Sequence, residues 1–143
     1  MFLKVVLMIH NSILSKILPY AVKLISLPLK VGSKNPEKVE FQTAVSLVPY
    51  LYGYNSSVVD AMYRQAWAET GDFDSGIFFN AKNAFGMRVP SVRPSLRIGE
   101  YLTSANGEFS LYANVTQSLL DKIILDKYNK VPTDKPGEEY ILV

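Results

Sequence analysis

The feature that most limits how this chain can fold is a change of composition at residues 31–38. There VGSKNPEK separates an apolar, acid-free stretch from a sequence of ordinary globular character. Glycine, serine, asparagine and proline gathered in this way mark a linker. It leaves residues 39–130 as a single folding unit, and because domains usually run to about 100–150 residues, there is room for one catalytic unit and no more. Residues 131–143 read as a C-terminal extension that follows the proline-punctuated loop KVPTDKPG.

Residues 1–30 carry Lys4, Lys16, Lys23 and Lys30 and no acid, so the net charge of +2 for the whole chain becomes −2 outside them. Their polar residues recur at helical spacing. Only 11 residues separate Lys4 from Lys16, whereas a spanning helix needs about 20 predominantly apolar residues. An amphipathic helix or signal-anchor lying in the membrane interface is therefore expected, divided at Pro19 and ended by Pro28. A cleaved secretory signal, a plain packing helix and a membrane-permeabilising peptide are the alternatives. Against the signal, Lys16 and Lys23 break the apolar run and no A-x-A site follows it.

The chain has no cysteine and one histidine, His10, which lies in the apolar N-terminal run. Thiolate nucleophiles, disulfides, serine–histidine triads and HExxH zinc sites are thereby excluded. Away from residues 1–30 the basic residues form no run that would track a phosphate backbone, so nucleic acid is not an expected partner. Any chemistry must use carboxylates, tyrosines, amides and the backbone.

Phe41, Ala44, Val45 and Val48 share one helical face, which predicts a helix over 37–48 that stops before Pro49 and is followed by an aromatic turn, YLYGYN. Ser57-Val58-Val59-Asp60 has the spacing of a helix start. Val59, Met62, Tyr63, Ala66 and Trp67 follow as a buried stripe, and Gly71 is placed to cap the end, which predicts a helix over 58–70. Glu69 falls on or beside that stripe, in the last turn. Partial burial and the negative end of the helix dipole would both favour its protonated form, the state a general acid needs. On spacing alone, a solvated glutamate is the plainer reading.

The residues after it bear on that choice. Gln65-Ala66-Trp67-Ala68-Glu69-Thr70-Gly71, then Phe73, Ser75 and Asn83-Ala84-Phe85-Gly86-Met87, resemble the glucosaminidase family of peptidoglycan hydrolases, within the lysozyme-like superfamily. That family has a QA-x-x-E-[ST]-G helix end and an NN-x-FG-[IM] segment. Lys82 stands where the first of the paired asparagines is common. Phe109, Tyr112, Ser118 and Asp121 are similar to its F-x-x-Y segment and the S-x-x-D helix behind it, so that the likeness covers about residues 40–130.

The resemblance implies an α+β, mainly α, lysozyme-like domain with a small lobe facing the acid, Glu69 as that acid, and peptidoglycan glycan strands as substrate. It also implies substrate contacts from Asn83, Phe85, Gly86 and Tyr112, with Gly86 allowing close approach of the backbone. Read without it, Phe85 and Met87 fit ordinary core packing, Asn83 fits a helix cap, and Tyr112 fits a packed helix face.

Glycosidases commonly pair the acid with a second carboxylate. The segment between Met87 and Phe109 should form the facing lobe, and its acids are Glu100 and Glu108. Glu100, within IGEYL, is the preferred partner, with a solvated position as its alternative. Without a partner acid, the substrate's N-acetyl group could assist, or a lytic transglycosylase could form an anhydro sugar. Asp72 and Asp74 fit a turn rather than a calcium loop, so neither a metal nor a cofactor is expected. Arg88 and Arg93 are candidates to meet anionic groups on the glycan. These readings together describe a membrane-associated enzyme of the cell envelope or a virion, such as a phage lysis enzyme. A catalytically inactive structural protein of the same fold is the competing class.

Overall fold

In a computed structural model, residues 35–105, 107–137 and 140 are described. The amphipathic segment 1–30 and most of the linker lie outside them. The fold is mixed α+β, about half helical, with one two-stranded antiparallel sheet.

Five helices and two strands follow in chain order: α1 (Pro36–Val45), α2 (Val48–Leu51), α3 (Ser56–Thr70), α4 (Gly76–Ala81), β1 (Gly99–Thr103), β2 (Gly107–Leu111) and α5 (Val115–Tyr128). The expected linker ends sooner than its composition predicts. The Asn35 side chain accepts the Lys38 amide hydrogen and Pro36 opens α1, so Pro36, Glu37 and Lys38 form a first helical turn, where proline's missing N–H costs nothing.

Pro49 likewise does not end a long first helix. The chain breaks at Ser46 and Leu47, and Pro49 sits in the first turn of the short helix α2. Helix α3 begins one residue before Ser57, and its cap is Asn55, whose side chain accepts the Val58 amide hydrogen at 2.8 Å. Gly71 closes α3 in the left-handed conformation, as its position predicts.

The buried face of α3 is turned from the predicted stripe. Val58, Val59, Ala61, Met62, Ala66 and Thr70 are buried, Tyr63 is half-buried, and Trp67 is 52% exposed. That face meets Phe41 of α1, Phe73, Phe78 of α4 and Leu119 of α5 in one core. Phe73 stacks at 5.3–5.4 Å on Phe41, Tyr63 and Phe78. Each fully buried side chain of this size contributes about 1.5–3 kcal/mol of apolar transfer.

The small sheet pairs Gly99 with Leu111, Glu100 with Ser110 and Tyr101 with Phe109. Phe109 is thus a strand residue, and Tyr112 follows the strand rather than lying on a helix. Hairpin and helices are joined by Tyr112 N donating to Ala81 O at 2.9 Å and Ser110 N donating to Met87 O at 2.9 Å.

Residues 131–137 and Tyr140 also depart from expectation, because they pack into the domain instead of extending from it. Gly137 N donates to Ser57 Oγ at 2.8 Å, and Tyr140 is 4% exposed. Its hydroxyl and that of Tyr54 both donate to Asp126 Oδ2 at 2.7 Å, while Lys122 Nζ lies 2.9 Å from Oδ1. Among the described residues no helix is long and apolar enough to cross a membrane.

Candidate active site

Glu69 follows Met62 by seven residues and Ala66 by three, so it projects from the same side of α3 as these two fully buried side chains. It is nevertheless exposed, which corrects the expectation of partial burial. At the C-terminal end of α3 the Glu69 side chain is presented to solvent rather than covered. Among the described residues it has no hydrogen-bond or ion-pair partner.

What lies against it is Gly86. A β-carbon placed on Gly86 would meet Glu69 Oε2 at 3.1 Å, and Gly86 has φ +61°, so both conformation and space call for glycine.

The loop that carries Gly86 is held by Asn83, which is fully buried. Its amide nitrogen donates to Met87 O at 2.9 Å and to Ser110 O at 3.0 Å. Its carbonyl oxygen accepts the amide hydrogens of Phe85 at 3.3 Å and Met87 at 3.0 Å. One side chain thus closes residues 83–87 into a turn and fixes that turn to β2. On the helical side, Ser118 Oγ accepts the Ala84 amide hydrogen at 3.2 Å.

Asn83, Phe85 and Gly86 therefore do come together in one loop, but with different exposures. Asn83 is 0% exposed, and Phe85 is 7% exposed and packs on Phe41 with ring centroids 5.7 Å apart. Both support the loop from behind, and neither side chain is open to a glycan; Gly86 carries the surface. Tyr112, expected to line the site, is 1% exposed, and its hydroxyl donates to Asp121 and faces Met87 Sδ at 3.8 Å. Burial and the Asp121 carboxylate push its phenol well above the ordinary tyrosine value.

Asp121 is the second anchor. Arg93 donates to it through both terminal nitrogens at 3.0 Å, Ser95 Oγ at 3.0 Å and Leu96 N at 2.9 Å. Burial opposes its charge, but Arg93, Tyr112 and the Leu96 amide outweigh that and hold the carboxyl below the ordinary aspartate value. The Arg93 side chain is only 6% exposed and committed to this pair, so it is not a glycan contact. Arg88 is exposed, with its guanidinium over the Phe109 ring at 4.1 Å.

Glu100 is exposed on β1, opposite Ser110, and its charged partner is Arg97 at 3.8 Å. Inward and outward side chains alternate along β1 and Glu100 takes an outward one, the solvated position named as its alternative. Glu108 is exposed on β2. Asp72 pairs with Lys38 at 3.1 Å in the turn after α3. That turn is unusual: Gly71, Asp72 and Phe73 are all left-handed, with φ of 56°, 59° and 59°. Thr70 Oγ1 accepts the Phe73 amide hydrogen at 2.8 Å and Asn35 Nδ2 donates to Phe73 O at 2.9 Å, which holds the strained turn in place.

The arrangement offers one exposed, unpartnered carboxylate at a helix end, beside a glycine-floored loop whose supports are fully buried. Comparisons with protein families, with curated proteins and with solved structures found nothing that matches this chain.

Proposed function

We propose that the chain is a glycosidase of the lysozyme-like kind that cleaves the glycan backbone of peptidoglycan, with Glu69 as its general acid. The observation that carries this reading is the seating of the Glu69 carboxylate over Gly86. A side chain at position 86 would block the space beside the acid, and its absence leaves room for a saccharide to approach. The helical bulk with a single hairpin suits a lysozyme-like fold, the hairpin serving as the small lobe.

In this reading Glu69 delivers a proton to the glycosidic oxygen as the bond to the anomeric carbon breaks. A sugar seated over Gly86 displaces water from around the carboxyl and so shields the proton transfer from solvent. Glu100, on the hairpin, is the candidate second carboxylate that would activate water. Its ion pair with Arg97 favours keeping a second route, in which Glu69 acts alone: it protonates the leaving oxygen, then accepts the proton of the sugar's own 6-hydroxyl as that oxygen closes on the anomeric carbon. Residues 1–30 would hold the enzyme at a membrane of the cell envelope or virion, close to its insoluble substrate.

The test is mass spectrometry of purified peptidoglycan after incubation with the full-length protein, with Glu69→Gln as control. New reducing ends released by the wild type alone are expected from hydrolysis, and anhydro-muropeptides from the one-carboxylate route. No product from the wild-type protein overturns the reading in favour of a non-catalytic structural protein.

A further inference from the structure

Helix α1 is apolar on two sides. Phe41 and Val45 face the core and are buried. On the opposite side Pro36, Val39 and Thr43 follow one another at helical spacing, and Leu47 continues the line just past the end of the helix. These four border a groove of about 480 Å³, closed on its far side by Thr116 at the start of α5. A surface helix ordinarily turns a polar face to solvent. Here the polar residues Glu37, Lys38 and Gln42 lie between the two apolar sides and are engaged with Lys82, Asp72 and Tyr63.

The groove is held open by its own walls. The Glu40 carboxylate accepts the amide and hydroxyl hydrogens of Thr116 at 2.9 and 2.8 Å, which fixes α1 against α5 and leaves an acidic group at the rim. Among the described residues nothing fills the space between them. Apolar surface framed in this way is what a partner covers.

The partner that the chain itself brings to this place is the stretch before Asn35. Its point of arrival is pinned, because the Asn35 side chain accepts the Lys38 amide hydrogen and donates to Phe73 O at 2.9 Å, and the next residue, Pro36, is already a wall of the groove. Residues 20–27, YAVKLISL, lie between Pro19 and Pro28. At helical spacing Ala21, Leu24 and Ile25 share one side, and Lys23, Ser26 and Lys30 share another. As a helix those eight residues would run about 12 Å, within the roughly 16 Å from Pro36 to Leu47. Residues 28–34, with Pro28, Gly32 and Ser33, can turn the chain back on itself as in a helical hairpin. So short a tether gives an effective concentration on the order of millimolar, so a contact too weak to hold a separate molecule is filled from within. Charge agrees, since residues 1–30 carry four lysines and no acid while the rest of the chain has a net charge of −2.

We infer that residues 20–27 dock in this groove antiparallel to α1, with Ala21, Leu24 and Ile25 inward and the lysines toward solvent. The same apolar side is the one that would enter a bilayer, so groove and bilayer compete for it. In water the chain keeps this segment folded against the domain, and an anionic membrane surface draws it out. None of this depends on whether Glu69 is catalytic.

Because the chain has no cysteine, Ser26→Cys gives the full-length protein a single attachment point for a nitroxide, on the polar side of the segment and with the domain unchanged. Measured against the reduced, diamagnetic label, the amide signals of Val39, Thr43 and Leu47 are expected to broaden. They should recover when Leu24→Asp and Ile25→Asp are added, which spoil the apolar side but keep the tether. Signals that are the same with and without those two changes overturn the docking. So does broadening that passes equally from labelled chains to isotopically enriched unlabelled ones, which places a second copy in the groove. Vesicles of phosphatidylglycerol should restore the three signals. Signals that stay broadened in their presence overturn the competition with the bilayer and leave the docking standing.

Discussion

The carboxylate of Glu69 and the α-carbon of Gly86 are close enough that a methyl group on the latter would lie 3.1 Å from Glu69 Oε2. Gly86→Ala should therefore act twice. The positive φ costs about 1–2 kcal/mol for an alanine, which a thermal melt will register. The methyl group also pushes the carboxylate aside, so muropeptide release should fall by about ten- to a hundredfold, the scale of loss that small misplacements of catalytic groups produce. Full activity in Gly86→Ala would show that the position of the Glu69 carboxylate is unimportant.

Asn83→Ala removes the three hydrogen bonds that close the 83–87 turn and the one that ties it to Ser110 O, and takes from the amides of Phe85 and Met87 the acceptor they share inside the protein. A loss of about 2–4 kcal/mol in urea unfolding is expected, since each buried polar group left unsatisfied costs about 1–3 kcal/mol. Asn83→Asp should be harmful too, because a carboxylate cannot donate to the carbonyls of Met87 and Ser110.

Asp121 ties acid resistance to the Arg93 clamp. Its carboxyl is held below the ordinary aspartate value in the folded state, so its contribution is fully present above the unfolded value of about 3.9. As pH falls from there through the lowered folded value, that stability is lost. Stability measured by denaturant should drop across this acid window in the wild type. In Asp121→Asn it should be lower at neutral pH and less steep below pH 4.

Asp72 has φ 59° but its ion pair with Lys38 is largely exposed, with the Asp72 side chain at 59%. Relief of the left-handed strain should outweigh the loss of a surface pair worth about 0–1 kcal/mol. Asp72→Gly is expected to raise the melting temperature by a few degrees, about 1 kcal/mol. A lower melting temperature would mean that the Lys38 pair matters more than the backbone.

Gly137 is required for a different reason, because a β-carbon there would come within 2.6 Å of Ser57 O. Gly137→Ala must push the tail off the start of α3 at a cost of about 1–3 kcal/mol. Limited proteolysis should then cut the segment after Lys130 faster than in the wild type.

Local chemistry was easiest to read from the sequence. Gly71 as a helix end and Gly86 as a point of close approach follow from properties of glycine that need no knowledge of neighbours. The α3 stripe was legible in period but not in phase. Trp67 and Tyr63 lie to one side of it, and which side meets the core depends on Phe41 and Phe78, which arrive from other elements. Ser118 and Asp121 stood out as a pattern, yet their tasks depend on contacts with Ala84 and Arg93, 34 and 28 residues away. The same dependence hid the roles of Tyr112 and Arg93. An arginine in a proline-rich loop looks free for a ligand until the loop folds back on a buried aspartate. Which way Glu100 faces was not legible, because in a two-stranded hairpin a shift of one residue reverses every side chain.

The strap formed by residues 131–137 with Tyr140 bears on the order in which this molecule is assembled. Asn55 N and Nδ2 reach across to Thr133 O and Lys135 O, the latter 80 residues further along the chain. The Asp126 carboxylate receives its final donor only from Tyr140. Closing so long a loop is slow, and its entropic cost precedes any gain. The start of the helix that presents Glu69 thus gains these further ties only once residues 133–137 have folded back on it, so the domain completes its packing as a whole rather than in sequence as each helix emerges.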